Sequence, residues 1–493
     1  MDLGPWTLDL GKDERPDWSP NVQGPRGLGA KGFLTAFLFV VGVPVLAQSP
    51  ADRIVAHTLA ESRAYDITAH LSDEIGPRLS GSRGAELAVK WTASKFEEWG
   101  IPVRREKVMV PRWVRGAERG RLISHNDQKI VLTALGGSVA TPAEGLNGTV
   151  VEVRTYDDLA SLGRKGIAGR IVFYSAAMDL DLVRAGHAFE AYSKAVEFRG
   201  SGADRAAEYG AVAVITRSVG SDSLRTPHTG SLRYGGKQPK IPAASVTAED
   251  AMLIQRLLAR GERVRMHLLL TPKTLPDVES ANVVAEIRGS EKPDEIVVIG
   301  GHLDSWDLGT GAIDNASGVA MTMDTMRAIK ATGLQPRRTI RAVLFMNEEN
   351  GLRGARAYAK EHAAEIPKHV AALESDAGAA TPLGFRTTLD GAVRDAFVAP
   401  FLPVLGRVPA TAFETSEYSG ADTSPLVDAG VPGFGLITEA TRYFHYHHTP
   451  ADTLDKIDRD ELTRATAAFA AMTWMLADRP DTAPRGPVKR GRK

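Results

Sequence analysis

Residues 300–318 read GGHLDSWDLGTGAIDNASG and put a histidine and three acids directly behind the apolar run EIVVI. Imidazole nitrogens and carboxylate oxygens, here from His302, Asp304 and Asp314, are donors that suit a divalent metal ion. Glycines at 300, 301, 309, 311 and 318 let the backbone bend around whatever those donors hold. Taken alone, the stretch fits a polar surface loop equally well, because His and Asp also serve as caps and turn residues. Two further apolar runs break the tie. RTIRAVLFMNEENG delivers Glu348 and Glu349 at its end, and HVAALESDAG ends on Asp376. One acid past a strand is unremarkable, but His-x-Asp, Glu-Glu and Asp behind three consecutive strands form a metal-site pattern. A nitrogen ligand from a separate loop is available in RYFHYHHTPADTLDKI, which offers His445, His447 and His448.

The elements that must position these residues alternate. ANVVAEIRG and EIVVIGG read as strands, GVAMTMDTMRAIKATG as a helix ending at Gly333, RTIRAVLFM as a strand, YAKEHAAEI as a helix and HVAALE as a strand. That order predicts a largely parallel α/β sheet, in which ligands bind beyond the carboxyl ends of the strands. Upstream, Leu87, Ala88, Trp91, Phe96 and Trp99 recur at helical spacing and Gly100 supplies the stop, followed by the strand-like VRREKVMVPRW. Between about 145 and 272 lie the short runs TVVEV, RIVFYS and AVAVITRS, a small helix GADRAAEYGA ending at Gly210, and a strand and helix capped near Thr247. This stretch predicts a compact unit of its own.

At 493 residues, 43% apolar and 24% charged, the chain has ample core for two or more domains. Sixty basic residues balance sixty acidic ones, so no global field points to nucleic acid. No cysteine is present, which excludes disulfides, thiolate metal sites and a cysteine nucleophile. GFLTAFLFVVGVPVLAQS, residues 32–49, follows Arg26 and Lys31 and offers small residues at Val45-Leu46-Ala47. It is too short for the ~20 residues of a membrane helix and reads as a secretory signal. The acids Asp2, Asp9, Asp13, Glu14 and Asp17 upstream of it are unlike a signal's basic start.

The ordered motifs H-x-D, D-N-A-S-G, N-E-E, S-D and H-T-P-A-D-T resemble the co-catalytic zinc exopeptidases that include bacterial leucyl aminopeptidases and glutamate carboxypeptidases. HLDSWDLGTGAID, ESDAG, GVPGFGL and HHTPADT are most similar to the carboxypeptidase Q branch of that family. The resemblance covers about 51–478 and includes PRLSGSRG. It implies a three-layer α/β, phosphorylase/hydrolase-like zinc-exopeptidase fold with a mixed, largely parallel sheet, interrupted by a protease-associated domain. The boundaries expected are 1–47 for an extension and signal, 51–125 and 276–478 for the peptidase domain, 126–275 for the insert, and 479–493 for a disordered basic tail.

The same resemblance implies two zinc ions. Asp314 is then the carboxylate shared by both, His302 and Asp376 complete one site, and Glu349 and His448 the other. His448 is preferred over its neighbours because the family's ligand directly precedes Thr or Ser. Manganese or cobalt suit the same donors. Asp304 becomes the acid that orients the His302 imidazole, Glu348 the proton shuttle, and Tyr418 the donor to the oxyanion. Around Tyr418 the chain departs from the family, reading Ala421-Asp422-Thr423 where S-D-H is usual.

These residues imply an exported enzyme that hydrolyses a terminal bond of dipeptides or short peptides, as a dipeptidase or carboxypeptidase, with aminopeptidase action as the alternative. The expected partner is a peptide substrate, with neither nucleic acid nor a stable membrane partner, and a homodimer left open. Related receptor ectodomains have lost the ligands, which this chain retains. A single-zinc glutamine cyclase is disfavoured by the Glu348-Glu349 pair and by the middle unit.

Overall fold

The computed structural model describes residues 49–221 and 224–488. The apolar run read as an export signal falls almost wholly before them, and the last five residues of the basic tail fall after them.

Two eight-stranded sheets organise the chain. The first runs, edge to edge, through Val103–Val114, Lys273–Ile287, Arg338–Phe345, Lys292–His302, His369–Glu374, Gly433–Thr438, Pro382–Thr387 and Ala412–Thr415. Its centre is parallel: Lys292–His302 pairs in parallel with both neighbours, and His369–Glu374 pairs in parallel with Gly433–Thr438. Antiparallel partners on either side make the sheet mixed. Along each central strand the buried side chains alternate between two cores. Val297, Ile299, Ala342 and Leu344 face the helices Pro50–Glu61, Arg83–Glu98, Ser317–Ala331 and Arg459–Asp478. Ile296, Val298, Val343 and Phe345 face Arg353–Glu361 and Ser424–Asp428. A strand covered on both faces reads as a continuous apolar run, which is why EIVVI announced the centre of the sheet.

The second sheet takes its strands from Glu118–Leu122 through Arg265–Leu270, with a parallel core of Leu146–Val153, Ile171–Tyr174, Ala213–Arg217 and Ala243–Val246. The Thr247 side chain caps the helix Ala248–Ala259, as its position suggested. The helix expected over GADRAAEYGA is the end of a 21-residue helix, Ala188–Glu208. Its first half packs Ala188, Ala191 and Ala195 into the core of the first sheet, and its second half packs Phe198, Ala203 and Ala206 into that of the second. Residues 479–488 depart from the expected disordered tail. Ala483 is buried, Arg485 Nη1 donates to the His369 carbonyl at 2.8 Å, and the Gly486 amide donates to the Gly430 carbonyl at 3.0 Å. Those acceptors hold a segment whose composition alone reads as solvated. Among the described residues no helix is long and apolar enough to cross a membrane.

Candidate metal centre and active site

The carboxyl ends of the three central parallel strands open into one cavity of about 900 Å³. His302 is the last residue of its strand, and Asp376 stands two residues beyond His369–Glu374. Asp314 sits in the turn before Ser317–Ala331, its amide held by Asp452: Oδ1 accepts from the Ile313 amide at 2.7 Å and Oδ2 from the Asp314 amide at 3.2 Å. Arg78 locks the approach to that turn. Fully buried, its guanidinium donates to the carbonyls of Leu71, Gly76, Leu303, Thr310 and Gly311 at 2.7–3.1 Å. Burial lowers its pKa to about 10 against the acids around it.

The two oxygens of Asp314 face different imidazoles. Oδ1 lies 3.0 Å from His302 Nε2, and Oδ2 lies 3.2 Å from His448 Nε2. His302 Nε2 is also 3.3 Å from Asp376 Oδ1, and His448 Nε2 is 3.0 Å from Glu349 Oε2. Donors at ~2.0–2.1 Å around a tetrahedral zinc stand about 3.3 Å from one another. His302, Asp314 and Asp376 bring donor atoms together closely enough for a cation, as do Asp314, His447 and His448, with Glu349 beside His448; imidazole and carboxylate donors of this kind suit zinc.

The electrostatics agree. Burial disfavours charge on His302, yet Asp376 and Asp314 raise its pKa well above the ordinary value. At His448 burial is likewise outweighed, by Glu349 and Asp314, and the pKa rises to about 10. Asp314 itself is buried, but the two histidines hold it well below the carboxylate range. This is a nest of acids that demands positive charge at its centre.

Glu348 and Glu349 diverge. Glu349 is buried, accepts the Trp306 amide at 3.2 Å through Oε1, and turns Oε2 toward His448; burial and Asp314 push its pKa to about 7. Glu348 is half-buried and lines the cavity. Burial, with Asp376, Glu349 and Asp314 against the opposing His302, raises its pKa well above the ordinary value. Tyr418 lies on the same wall, about half exposed, and surrounding protein together with Asp376, Glu374 and Glu348 keeps its phenol protonated. Asp304 stands behind the cavity, fully buried. His302 Nδ1 reaches the Asp304 backbone carbonyl at 2.9 Å, whereas the carboxylate is 3.9 Å away. That carboxylate instead accepts the amides of Asn347 at 2.8 Å and Glu348 at 3.0 Å.

Of the three histidines in YFHYHH, His447 and His448 reach the cavity, stacked with centroids 3.6 Å apart. His447 Nε2 is 3.5 Å from Asp314 Oδ2, so it stands with His448 in the donor group around that oxygen. Three contributions were missed in the sequence. Glu374 lines the cavity, and it is visible only as the last residue of a buried strand. The second sheet's segment His228–Thr229 holds the histidine loop: the Thr229 amide donates to the His448 carbonyl at 2.9 Å, and the Thr229 carbonyl lies 3.3 Å from His448 Nδ1. The spacing Ala188, Ala191, Ala195, Phe198 was the available signal that a helix carries Phe189, Tyr192 and Arg199 to the same place.

The family model described as peptidase family M28 matches residues 282–473. The carboxypeptidase Q of Homo sapiens is 36% identical over 427 residues, which cover 86% of this chain and 88% of that protein. The crystal structure of a peptidase M28 precursor from Shewanella amazonensis SB2B superposes with a TM-score of 0.84 at 39% identity, covering 89% of this chain and 99% of that one. A zinc aminopeptidase from Bacillus subtilis shares the fold, with a TM-score of 0.62 at 20% identity over 86% of this chain and 96% of its own. A relative 36% identical along nearly nine-tenths of its length, together with two histidines and three carboxylates gathered at the strand ends, establishes that the chain belongs to peptidase family M28 and is a metallopeptidase.

Proposed function

We propose that the chain is an exported dinuclear zinc exopeptidase that hydrolyses dipeptides or short peptides at a terminal bond. The observation that carries this reading is the splitting of Asp314, whose two oxygens face His302 and His448 separately. His302 and Asp376 would hold one ion and Glu349 and His448 the other, with Asp314 contributing to both. When bound, a zinc pair supplies Lewis acidity and lowers the pKa of water at the site. Glu348 receives the proton from the water that attacks the scissile carbonyl. As the C–N bond breaks, it passes that proton to the leaving amine. A carboxyl whose pKa is raised is suited to both halves of that transfer. Tyr418, held protonated, donates to the carbonyl oxygen as charge develops. Asp304 acts mainly through its hold on the Glu348 amide.

The second sheet is assigned as a protease-associated domain inserted into the peptidase domain, supported by its place between Val103–Val114 and Lys273–Ile287. Export rests on the run at 32–49. The test is a panel of dipeptides and of N- and C-terminally blocked tripeptides, assayed with metal-free and zinc-loaded protein. Zinc-dependent cleavage confined to substrates with a free terminus is expected. Cleavage of the doubly blocked peptides, or activity indifferent to zinc, would overturn the reading.

A further inference from the structure

A guanidinium drawn into a protein ordinarily gives its N–H groups to acceptors, because unpaired donors lose their hydration without compensation. This chain follows the rule at Arg78, at Arg115 with Asp307 and Glu118, and at Arg341 with Glu286 and Glu365. Arg386 does not. It is half-buried in the wall of the metal cavity, and no hydrogen-bond acceptor or ion-pair partner reaches its guanidinium among the described residues.

Its seat is nevertheless well defined. Arg386 lies in the strand Pro382–Thr387, in register with Gly435 on one side and Glu414 on the other. A Cβ at Gly435 would stand 3.1 Å from Arg386 Cγ, so the stem packs where its neighbour has no side chain. The guanidinium carbon lies 5.3 Å from the centre of the Phe189 ring. Phe189 is fixed in turn by Tyr443 and Phe444 at 5.3 and 5.0 Å. Stacking on an aromatic face orients the guanidinium plane and uses none of its N–H groups. Arg386 also shares the neighbourhood of Tyr418 with Glu348 and Asp376, whose charges all act on that phenol.

The acids of the cavity are otherwise committed. Asp314, Glu349 and Asp376 belong to the metal cluster and Glu348 to proton transfer. Glu374 accepts the Asp422 amide at 3.2 Å, and the Thr423 amide and hydroxyl at 2.7 and 2.9 Å. Glu190 pairs with Lys194 at 2.7 Å. The cavity thus has no spare carboxylate for a substrate ammonium, and of its lining arginines Arg199 and Arg356 donate to backbone carbonyls, Arg233 is exposed to solvent, and Arg386 alone is both half-buried and without an acceptor among the described residues.

We propose that Arg386 anchors the free α-carboxylate of the substrate, so that the enzyme requires an unblocked C-terminus next to the scissile bond. A carboxylate matches the guanidinium fork, which can bind it through two parallel N–H···O bonds. This assignment rests on the exopeptidase reading and refines it to a dipeptidase or carboxypeptidase.

The experiment compares kcat/KM of the zinc-loaded full chain for Ala-Ala and for its C-terminal amide, in wild type, Arg386→Met and Arg386→Lys. Wild type is expected to favour the free acid by at least ~10-fold, the order of one charge-assisted pair. Arg386→Met should bring that ratio close to one, mainly through a higher KM for the acid, and Arg386→Lys should restore part of it. Equal hydrolysis of acid and amide by wild type would overturn the anchor and leave the exopeptidase reading standing. So would an unchanged preference in Arg386→Met, or in Arg386→Lys if the methionine variant does not fold. Hydrolysis of neither substrate by zinc-loaded wild type would overturn the exopeptidase reading and the anchor together.

Discussion

The carboxylate of Asp304 accepts the backbone amide of Glu348 at 3.0 Å, tying the loop after one central strand to the turn after its neighbour. The tie explains how two adjacent glutamates take separate directions. Asn347 has a left-handed φ of 73°, and Asp304 also holds its amide, so the chain reverses there before releasing Glu348 into the cavity and Glu349 toward His448.

Removing that tie should slow chemistry without emptying the site. Asp304→Ala is expected to lower kcat by about 10- to 100-fold, the usual scale for a partner that orients reacting groups, with zinc content near normal. Asp304→Asn retains an acceptor and should recover most of the rate. Zinc analysis beside steady-state kinetics checks this. If Asp304→Ala loses metal before turnover, the carboxylate acts through His302 instead.

Glu348→Gln and Glu349→Gln should separate catalysis from metal binding. The first should keep its zinc and lose about 10² to 10⁴ in kcat with little change in KM, since an amide cannot take the proton from water. The second should lose metal first and activity in consequence. Reversed behaviour of the two variants would exchange their roles.

The placing of Asp314 between His302 and His448 makes the metal count a test of the proposed site. Elemental analysis should find close to two divalent ions per wild-type chain, and Asp314→Asn should lower occupancy at both sites because each depends on one of its oxygens. A fully active wild type with one tightly held ion contradicts the shared carboxylate.

His369 should make the fold acid-sensitive. It is fully buried, with Nδ1 2.9 Å from the Glu365 carbonyl and Nε2 2.9 Å from the Tyr358 hydroxyl. Burial, aided by Arg341 and His362, lowers its pKa to about 4. Below pH ~6.5 the unfolded chain binds a proton there that the folded chain refuses, so stability falls as pH drops toward 4, by on the order of 3 kcal/mol. His362 works in the opposite sense. Burial opposes its charge, but Glu106 and Glu365 raise its pKa, so its contribution is present below pH ~6.5 and fades as pH rises through the folded value. Urea denaturation of wild type and His369→Gln at several pH values between 7 and 4 isolates the first term. An unchanged pH slope in the variant would refute it.

Export makes its own prediction. Material secreted by the native host should begin near Gln48, without the apolar run before it. N-terminal sequencing that finds residues 33–45 retained would indicate an anchor.

The sequence makes the central sheet and the candidate ligand positions legible for one reason: both depend on local pattern. Strands buried on two faces must be apolar throughout, and ligands at their carboxyl ends must follow directly, so His302, Glu349 and Asp376 are announced by EIVVI, IRAVLFM and HVAAL. What stays hidden depends on approach between distant segments. Thr229 is an ordinary loop threonine until its carbonyl meets His448, 219 residues away. Arg386 reads as one more strand arginine until Phe189 arrives from another sheet's helix. Asp304 shows the intermediate case: its proximity to His302 was evident, but which of its oxygens faces the imidazole depends on a loop conformation that spacing does not encode.

The pairing of Thr229 with His448 also bears on how substrate gets in and out. A second layer lying over a catalytic cavity invites comparison with a door that swings open at each turnover. Here the hinge side of such a door would be bolted to the latch. The Thr229 amide bonds the His448 carbonyl, and Arg115 joins Asp307 on one side to Thr133 and Ala134 on the other. An outward swing of the second sheet would pull on the histidine loop, and with it on His448. The bonds at Thr229 and Arg115 oppose such a swing, so the mouth of the cavity as it stands bears on which peptides can enter.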